Sequence, residues 1–315
     1  MRSIPPSSGG LIRRQWPERS AGRVLRCAAI LLPLCVLAGF FLNLSFAAAS
    51  FASEPPAGSK DSTLSGARIS LLENPDVSSN IKLLESWIEA QMVHRKIPGM
   101  SVGIVYDQEL IYARGFGFSD VERKVPADPR TVYRIASITK TFTATAIMQL
   151  RDEGKLSLDD PVKKFLPWFR IKSRFADAPE VTIRHLLTHT SGLPRESAFP
   201  YWTDHKFPTR EEMIEALQNQ EAVFPPETRI KYSNLALAVA GEVVFAVSGT
   251  SYEEYVRKNI LIPLGMKNTS VRLDEGQMGK LATPYSRLLP DGTHKVMHVT
   301  DSKGISPAAN MSSNV

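Results

Sequence analysis

The sequence predicts an α+β fold, with antiparallel strands near its beginning and helices through its middle. Two apolar runs, "MSVGIVY" and "LIYARGFG", are joined by Asp107-Gln108-Glu109 and have the pattern of a β-hairpin. From about 150 to 230, short helical patterns alternate with proline-bounded loops, which predicts a helical subdomain. The composition, 43% hydrophobic and 22% charged, is that of an ordinary globular protein.

Residues 1–52 have the features of an export signal. Six arginines precede the apolar segment 27–49, and small residues follow it. The same segment is long enough to cross a bilayer, so an uncleaved inner-membrane anchor with the arginines inside is the alternative. Both alternatives predict an exported domain, which would be periplasmic or secreted and in the second case anchored in the cytoplasmic membrane.

Charge and cysteine content exclude two classes of function. The net charge is +6, but most of it comes from the arginines of residues 1–52, so the rest of the chain is near neutral. A near-neutral domain without a basic stripe is not expected to bind nucleic acid. Cys27 and Cys35 both lie in the apolar segment, so the exported part has neither a disulfide nor a thiol nucleophile. Covalent catalysis there would need Ser, Thr or Lys.

The elements follow in order after this segment. Residues 53–79 are rich in Ser, Pro and Gly, which predicts a linker. Ser79 or Asn80 is expected to cap an amphipathic helix that runs to about His94 and begins the main domain, residues 80–315. The apolar face of that helix is predicted to contain Ile81, Leu84, Trp87, Ile88 and Met92. Two further helices are predicted in "LALAVAGEVVFAVSG" and "SYEEYVRKNILIPLG".

A fourth predicted helix contains an unexpected lysine. In "YRIASITKTFTATAIMQL", residues 133–150, apolar side chains recur at helical spacing at Ile138, Phe142, Ala146 and Leu150. Ser137 is then a first-turn residue, and Lys140 lies one turn further along the same face. An unpaired ammonium among apolar groups costs several kcal/mol. Lys140 is therefore expected either to reach solvent or to be held in place for chemistry.

The chemistry that suits this spacing is acyl transfer. A serine hydroxyl needs a base within hydrogen-bonding reach, and lysine can serve if burial or a neighbouring cation lowers its pKa. The start of the helix adds partial positive charge and a backbone N–H for an oxyanion. Ser-x-x-Lys alone is weak evidence, because Ser79 and Lys82 match it as well; we interpret that pair as a helix cap and a polar-face lysine. A simple helix start at Ser137 remains the alternative.

Tyr232-Ser233-Asn234 is the only Tyr-x-Asn in the chain, and it directly precedes an apolar helix. A tyrosine beside an ammonium can relay a proton, and an asparagine amide can bind a substrate carbonyl. The alternative is a turn with an asparagine cap. His185 and His189 have the spacing of a zinc pair, but Leu186 stands where a zinc protease needs glutamate, so no metal is predicted.

Four stretches together resemble the serine β-lactamase and penicillin-binding-protein superfamily. The resemblance is greatest to the branch of class C β-lactamases, D-alanyl-D-alanine carboxypeptidases and esterases. It runs from about residue 80 to residue 315, in the same order along the chain. The stretches are "YRIASITKTFTATAIMQLRDEGKLSLDDPVKKFLP", "VTIRHLLTHTSGLP", "KYSNLALAVAGEVV" and "YEEYVRKNILIPLGMKNTS".

The resemblance implies a β-lactamase/transpeptidase-like fold, an antiparallel sheet flanked by helices with a helical subdomain. It implies that Ser137 is the acylated nucleophile, with Lys140 as its base partner. Tyr232 would carry the proton to and from the leaving group, and Asn234 would bind the substrate. No metal or organic cofactor is implied. The substrate would be a β-lactam, a D-Ala-D-Ala-type peptide or a small ester.

The sequence departs from the family pattern at two places. Pro226-Glu227 stands where the family usually has Pro-Gly, and the third element of these sites, Lys-Thr-Gly or His-x-Gly, occurs nowhere in the 315 residues. The sheet and the domain are therefore expected to be incomplete at the C-terminal end. Losing an oxyanion donor from that element costs about 3 kcal/mol. The alternative to a hydrolase is thus a non-catalytic sensor or binding module, or an inactive fragment.

Overall fold

The computed structural model describes residues 74–315. The predicted export segment, residues 1–52, lies outside this described part, as does the predicted linker, 53–79, up to residue 73. The last residues of that predicted linker, 75–79, belong to the first helix.

The first layer is a helix packed on a small antiparallel sheet. It consists of α1 (Pro75–Arg95), β1 (Gly99–Tyr106), β2 (Glu109–Asp120) and β3 (Val125–Pro126), with the strands in the order β1-β2-β3. The predicted hairpin is confirmed, and its turn has φ of 49° at Asp107 and 68° at Gln108. Positive φ at both central residues of a two-residue turn matches the twist of the strands. Apolar side chains join α1 to the sheet, namely Ile88, Met92 and Phe116.

The beginning of α1 differs from the prediction. Asn74, rather than Ser79 or Asn80, is the N-cap, and its Oδ1 accepts the Asp76 N–H at 2.9 Å. An Asn-Pro pair suits this position, because proline is well accommodated in the first turn. Trp87 was expected on the buried face and is 60% exposed.

The second segment leads from a short strand into α2. β4 (Tyr133–Arg134) is followed by a 3₁₀ turn (Ala136–Ile138) and α2 (Thr139–Asp152), and β4 pairs antiparallel with β5 (Ser312–Ser313). Ala146 and Leu150 are buried as predicted, whereas Ile138 is 59% exposed because it belongs to the 3₁₀ turn. One side of α2 faces solvent, so the helix is not buried all round.

Short helices and loops follow, as expected for a helical subdomain. They are α3 (Val162–Phe165), α4 (Ile183–Leu187), α5 (Tyr201–Asp204) and α6 (Arg210–Asn219).

The centre of the core is α7 (Asn234–Ser248), every residue of which is buried from its start to Val244. Ser233 is its N-cap, since its Oγ accepts the Ala236 N–H at 2.9 Å, so Asn234 is a first-turn residue and the alternative of an asparagine cap is wrong. The remaining elements are α8 (Tyr252–Val256) with a π turn (Arg257–Leu261), α9 (Glu275–Met278), a 3₁₀ turn (Lys303–Ile305) and α10 (Ser306–Ala309).

A helix that crosses a membrane must be both long enough and apolar enough. No single helix within residues 74–315 meets both requirements, and only α7 with the helical segment after it does so as a pair bent by 78°.

Candidate active site

Ser137 lies on the 3₁₀ turn that connects β4 to α2, and its side chain is exposed. The residue before it, Ala136, has a φ of 43°, a conformation that L-residues with a Cβ rarely adopt. The Ser137 Oγ lies 3.1 Å from the Lys140 Nζ and 2.6 Å from the Tyr232 hydroxyl. The structure thus brings a hydroxyl, an amine and a phenol into direct contact at the surface.

Lys140 does not extend into solvent. It is half-buried, and its Nζ donates to the Ala308 carbonyl at 2.7 Å as well as to Ser137. Burial lowers the pKa of Lys140 and Arg195 adds to that shift, while Tyr232 and Glu196 oppose it. This setting shifts the titration of Lys140 toward the neutral amine, the form that can accept a proton.

α10 is held against α2 by hydrogen bonds that keep this carbonyl in place. Thr143 Oγ1 donates to the Pro307 carbonyl at 2.6 Å, and Thr139 Oγ1 accepts the Met311 N–H at 3.0 Å. Gly241 on α7 lies under the same turn, where an added Cβ would come within 2.2 Å of Pro307. Close packing of three elements thus determines where the Ala308 oxygen meets Lys140.

Three charged or aromatic groups surround the Tyr232 ring. The Lys140 Nζ lies 4.7 Å from its centroid, the Arg195 Cζ 4.9 Å, and the His189 ring 4.6 Å. His189 also accepts the Ser233 N–H through Nδ1 at 3.1 Å, and burial together with the charge of Lys140 lowers its pKa. The "LLTHTSGL" stretch therefore supports the tyrosine.

His185 and His189 do not share a ligand site. His185 Nε2 lies 2.8 Å from a Glu227 carboxylate oxygen, and its Nδ1 accepts the Thr182 N–H at 3.1 Å in a capping box. Within residues 74–315, no cluster of three or more His, Cys, Asp or Glu side chains has the geometry of a metal site.

Among the described residues, the Asn234 side chain forms its hydrogen bonds with Glu196 and not with the other three predicted site residues. Its side chain is 3% exposed, and its Nδ2 donates to both Glu196 carboxylate oxygens, at 2.9 and 3.0 Å. Its Oδ1 is buried and has no hydrogen-bond partner among the described residues. Glu196 also accepts the Tyr201 hydroxyl and, at 3.1 Å, the Arg195 Nε.

The structure thus brings Ser137, Lys140 and Tyr232 together and places Asn234 in a neighbouring polar network. Sequence reasoning did not identify Arg195 or Glu196, which directly follow "SGLP" in the helical subdomain. No local signal marks them, because their roles depend on how that loop packs on the start of α7. Their position directly after "VTIRHLLTHTSGLP", one of the stretches that carry the family resemblance, was the only feature of the sequence that could have indicated them.

The chain is similar in sequence to proteins of one family. The model of a protein family described as "Beta-lactamase" matches residues 84–315. "Beta-lactamase-like protein 2" of Dictyostelium discoideum is 32% identical over 243 residues, 76% of this chain and 44% of that protein. "Protein flp" of Staphylococcus aureus strain MW2 is 33% identical over 189 residues, 60% of this chain and 38% of that protein. The chain therefore spans less than half the length of these two curated relatives.

Solved structures show the same similarity. An octameric penicillin-binding protein homologue from Pyrococcus abyssi has a TM-score of 0.64 at 38% identity, over 75% of this chain and 54% of that one. EstCE1, described as a hydrolase with promiscuous acyltransferase activity, has a TM-score of 0.63 at 26% identity, over 75% of this chain and 70% of that one. A class C β-lactamase from Rhodobacter sphaeroides has a TM-score of 0.60 at 26% identity, over 73% of this chain and 61% of that one.

Proposed function

The chain belongs to the beta-lactamase family, within the serine β-lactamase and penicillin-binding-protein superfamily, and from that premise we propose that it is a serine hydrolase acting through an acyl-enzyme on Ser137. The family and its β-lactamase/transpeptidase-like α+β fold agree with the sequence prediction. The observation that carries the proposal is the contact of the Ser137 Oγ with both Lys140 and Tyr232.

Acylation would begin with attack of the Ser137 Oγ on the substrate carbonyl carbon. The neutral amine of Lys140 takes the hydroxyl proton as the new C–O bond forms. Tyr232 gives its proton to the leaving nitrogen or oxygen as that bond breaks, and the Lys140 ammonium returns a proton to Tyr232. The backbone N–H of Ser137 can donate to the developing oxyanion, because the first amides of a helical segment have no partner within it.

Hydrolysis would complete the cycle with the same groups. A water molecule approaches the acyl carbonyl, and the Tyr232–Lys140 pair accepts its proton as the new bond forms. The bond to the Ser137 Oγ then breaks, and the proton passes to that oxygen. The acid product leaves and the starting protonation states are restored.

The substrate would be a β-lactam, a D-Ala-D-Ala-type peptide or a small ester. Similar structures described as a penicillin-binding protein homologue, a class C β-lactamase and a hydrolase with promiscuous acyltransferase activity support this range. We propose further that residues 1–52 direct export to the periplasm or exterior, with anchoring through residues 27–49 as the alternative. We also propose that Asn234 binds the substrate, as the family resemblance implies.

Intact mass measurement tests the nucleophile. The full chain, in detergent, is exposed to a penicillin and separately to a fluorophosphonate. We expect one adduct per chain, which Ser137→Ala abolishes. Ser79→Ala is the matched control, because Ser79 begins the other Ser-x-x-Lys of the chain and is exposed on α1. This substitution is expected to leave labelling unchanged. An adduct that survives in Ser137→Ala would overturn the assignment.

The similarity to a penicillin-binding protein homologue supports a second candidate, a penicillin-binding sensor that is acylated without turnover. This candidate predicts a penicillin adduct whose mass persists for hours after free penicillin is removed. Rapid loss of that adduct, or repeated turnover of a chromogenic ester, would exclude the sensor and leave the hydrolase.

A further inference from the structure

Arg195 presents a positive charge beside the nucleophile. Its guanidinium lies 4.9 Å from the Tyr232 ring centroid, and the Tyr232 hydroxyl contacts the Ser137 Oγ at 2.6 Å. The Arg195 side chain is 59% exposed. Among the described residues only its Nε is hydrogen-bonded by a side chain, which leaves the two terminal amino groups available. A guanidinium with two adjacent N–H groups matches the two oxygens of a carboxylate.

Glu196 holds this guanidinium in place. Its carboxylate accepts the Arg195 Nε, the Asn234 amide and the Tyr201 hydroxyl, and Tyr201 is fully buried. The Arg195 backbone carbonyl in turn accepts the Asn234 N–H at 2.8 Å. The loop that carries the arginine is therefore fastened to the first turn of α7, two residues beyond Tyr232. A long, flexible side chain becomes a preorganised receptor when its near end is fixed in this way.

We propose that Arg195 is a specificity-determining residue that binds a carboxylate on the acyl donor, and that Glu196 is the residue that positions it. The inference rests on the proposed function, since it concerns substrates acylated at Ser137. It favours anionic substrates over neutral esters of the same shape. The Arg195 charge also lies close enough to Lys140 to influence its titration, so the receptor and the reacting groups share one site.

Two esters that differ by one charge test the inference. Mono-4-nitrophenyl succinate carries a free carboxylate, and its methyl ester is neutral with the same reacting carbonyl. We expect Arg195→Gln to lower the ratio of kcat/KM for the anionic over the neutral ester at least tenfold, and Arg195→Lys to restore part of it. The wild-type ratio falls as salt is added, because screening weakens the attraction.

Arg229→Gln is the matched control. Arg229 is an exposed arginine that lies 5.0 Å from the centre of the Phe224 ring, so it repeats the arginine–aromatic contact without Tyr232. Its loss is expected to leave the ratio unchanged. Glu196→Gln is expected to lower the ratio in the same direction as Arg195→Gln, chiefly through a higher KM for the anionic ester.

The outcomes separate this inference from the proposed function. If the wild type hydrolyses both esters and Arg195→Gln changes their rates equally, the carboxylate receptor is wrong and the serine hydrolase stands. If neither ester is hydrolysed and the fluorophosphonate leaves Ser137 unmodified, the proposed function is wrong and the inference falls with it. Thermal melting of each variant shows that a changed ratio does not reflect loss of the fold.

Discussion

Lys140 is half-buried, and its pKa is lowered chiefly by that burial. The amine must be neutral to take the Ser137 proton, so labelling of Ser137 is expected to accelerate as pH rises through the pKa of Lys140. The midpoint of this rise should lie below the value of a free lysine, about 10.4. The measurement is the second-order rate of fluorophosphonate labelling between pH 5 and 10.

Lys140→Arg provides the comparison for this profile. Arginine keeps its positive charge in proteins and cannot act as the base. Labelling should fall by about a hundredfold or more and lose its rise with pH. A profile with the same midpoint in the variant would show that another group titrates.

His189, whose ring packs on that of Tyr232, is expected to make the free energy of unfolding depend on pH under acidic conditions. Burial lowers its pKa, so below about pH 6.5 the unfolded chain takes up a proton that the folded chain resists. The free energy of unfolding is therefore expected to decrease as pH falls from 6.5 toward the lowered pKa. Urea unfolding at several pH values in this range measures the slope.

Two histidines with similar backbones allow a controlled test. His189 has a φ of 60° and His205 a φ of 58°, a conformation that asparagine also accepts. His189→Asn should reduce the acid-dependent decrease in the free energy of unfolding. Near pH 7 the variant should be less stable by about 1 kcal/mol, because a hydrogen bond is lost. His205→Asn, on the exposed surface, should leave the slope unchanged. Equal slopes in all three proteins would contradict the role of His189.

The site could be predicted from the sequence only in part. Ser137 and Lys140 are three residues apart on a helical segment, so their contact follows from local geometry. Tyr232 is distant in sequence, and only its Tyr-x-Asn motif and the family resemblance identified it. The buried contact of Asn234 with Glu196 follows from packing between a loop and a helix, which no local pattern encodes.

At the scale of elements, Gly241 sets how closely α7 approaches α10. An added Cβ would come within 2.2 Å of Pro307, next to the carbonyl that accepts from Lys140. Gly241→Ala is expected to lower the free energy of unfolding by about 1–3 kcal/mol through overpacking. It should also slow fluorophosphonate labelling, because Ala308 moves away from Lys140. Chemical denaturation and labelling rates measure the two effects.

Gly279→Ala is the control for this substitution. The nearest atom to an added Cβ at Gly279 is 3.7 Å away, an ordinary contact, and the residue is exposed. Stability should change by less than about 0.5 kcal/mol, with labelling unaffected. If Gly241→Ala behaves in the same way, the close approach does not support the site.

Element boundaries were predicted less well than element types. The hairpin, α2 and α7 follow from periodicity, which is a local property. The start of α1 was wrong because the Asn-Pro signal lies inside a stretch whose composition indicated a linker. Trp87 was placed on the buried face because of its helical spacing, but an apolar residue at that spacing need not be covered.

At the scale of the whole molecule, the described part has two apolar clusters of unequal size. The larger is centred on α7, and the smaller joins α1 to the β1–β2 hairpin through Ile88, Met92 and Phe116. A small cluster supports less local stability. Amide hydrogen exchange is therefore expected to be faster in α1, β1 and β2 than in α7.

A substitution in the small cluster sharpens this expectation. Met92→Ala should cost about 2–5 kcal/mol and accelerate exchange in α1 and the hairpin while leaving α7 protected. Val93→Ala, one residue further along α1 and largely exposed, is the control and should leave exchange unchanged. Acceleration that extends equally into α7 would mean that the two clusters open as one unit.

The overall fold class was predictable because motifs in a fixed order along the chain identify the family. What the sequence could not show is which distant segments complete the site. The residues 306–311 that meet α2 have no pattern of their own that indicates this contact, because hydrogen bonds to backbone carbonyls leave little trace in residue type.

Those contacts have a consequence for the timing of synthesis. Thr139, Lys140 and Thr143 bind backbone groups of Met311, Ala308 and Pro307, more than 160 positions downstream. While the chain is still on the ribosome, Ser137 emerges long before the residues that complete its surroundings. A nascent chain from which residue 311 has not yet emerged therefore carries Ser137 without these contacts, and the proposed site is expected to form only after residue 311 has emerged.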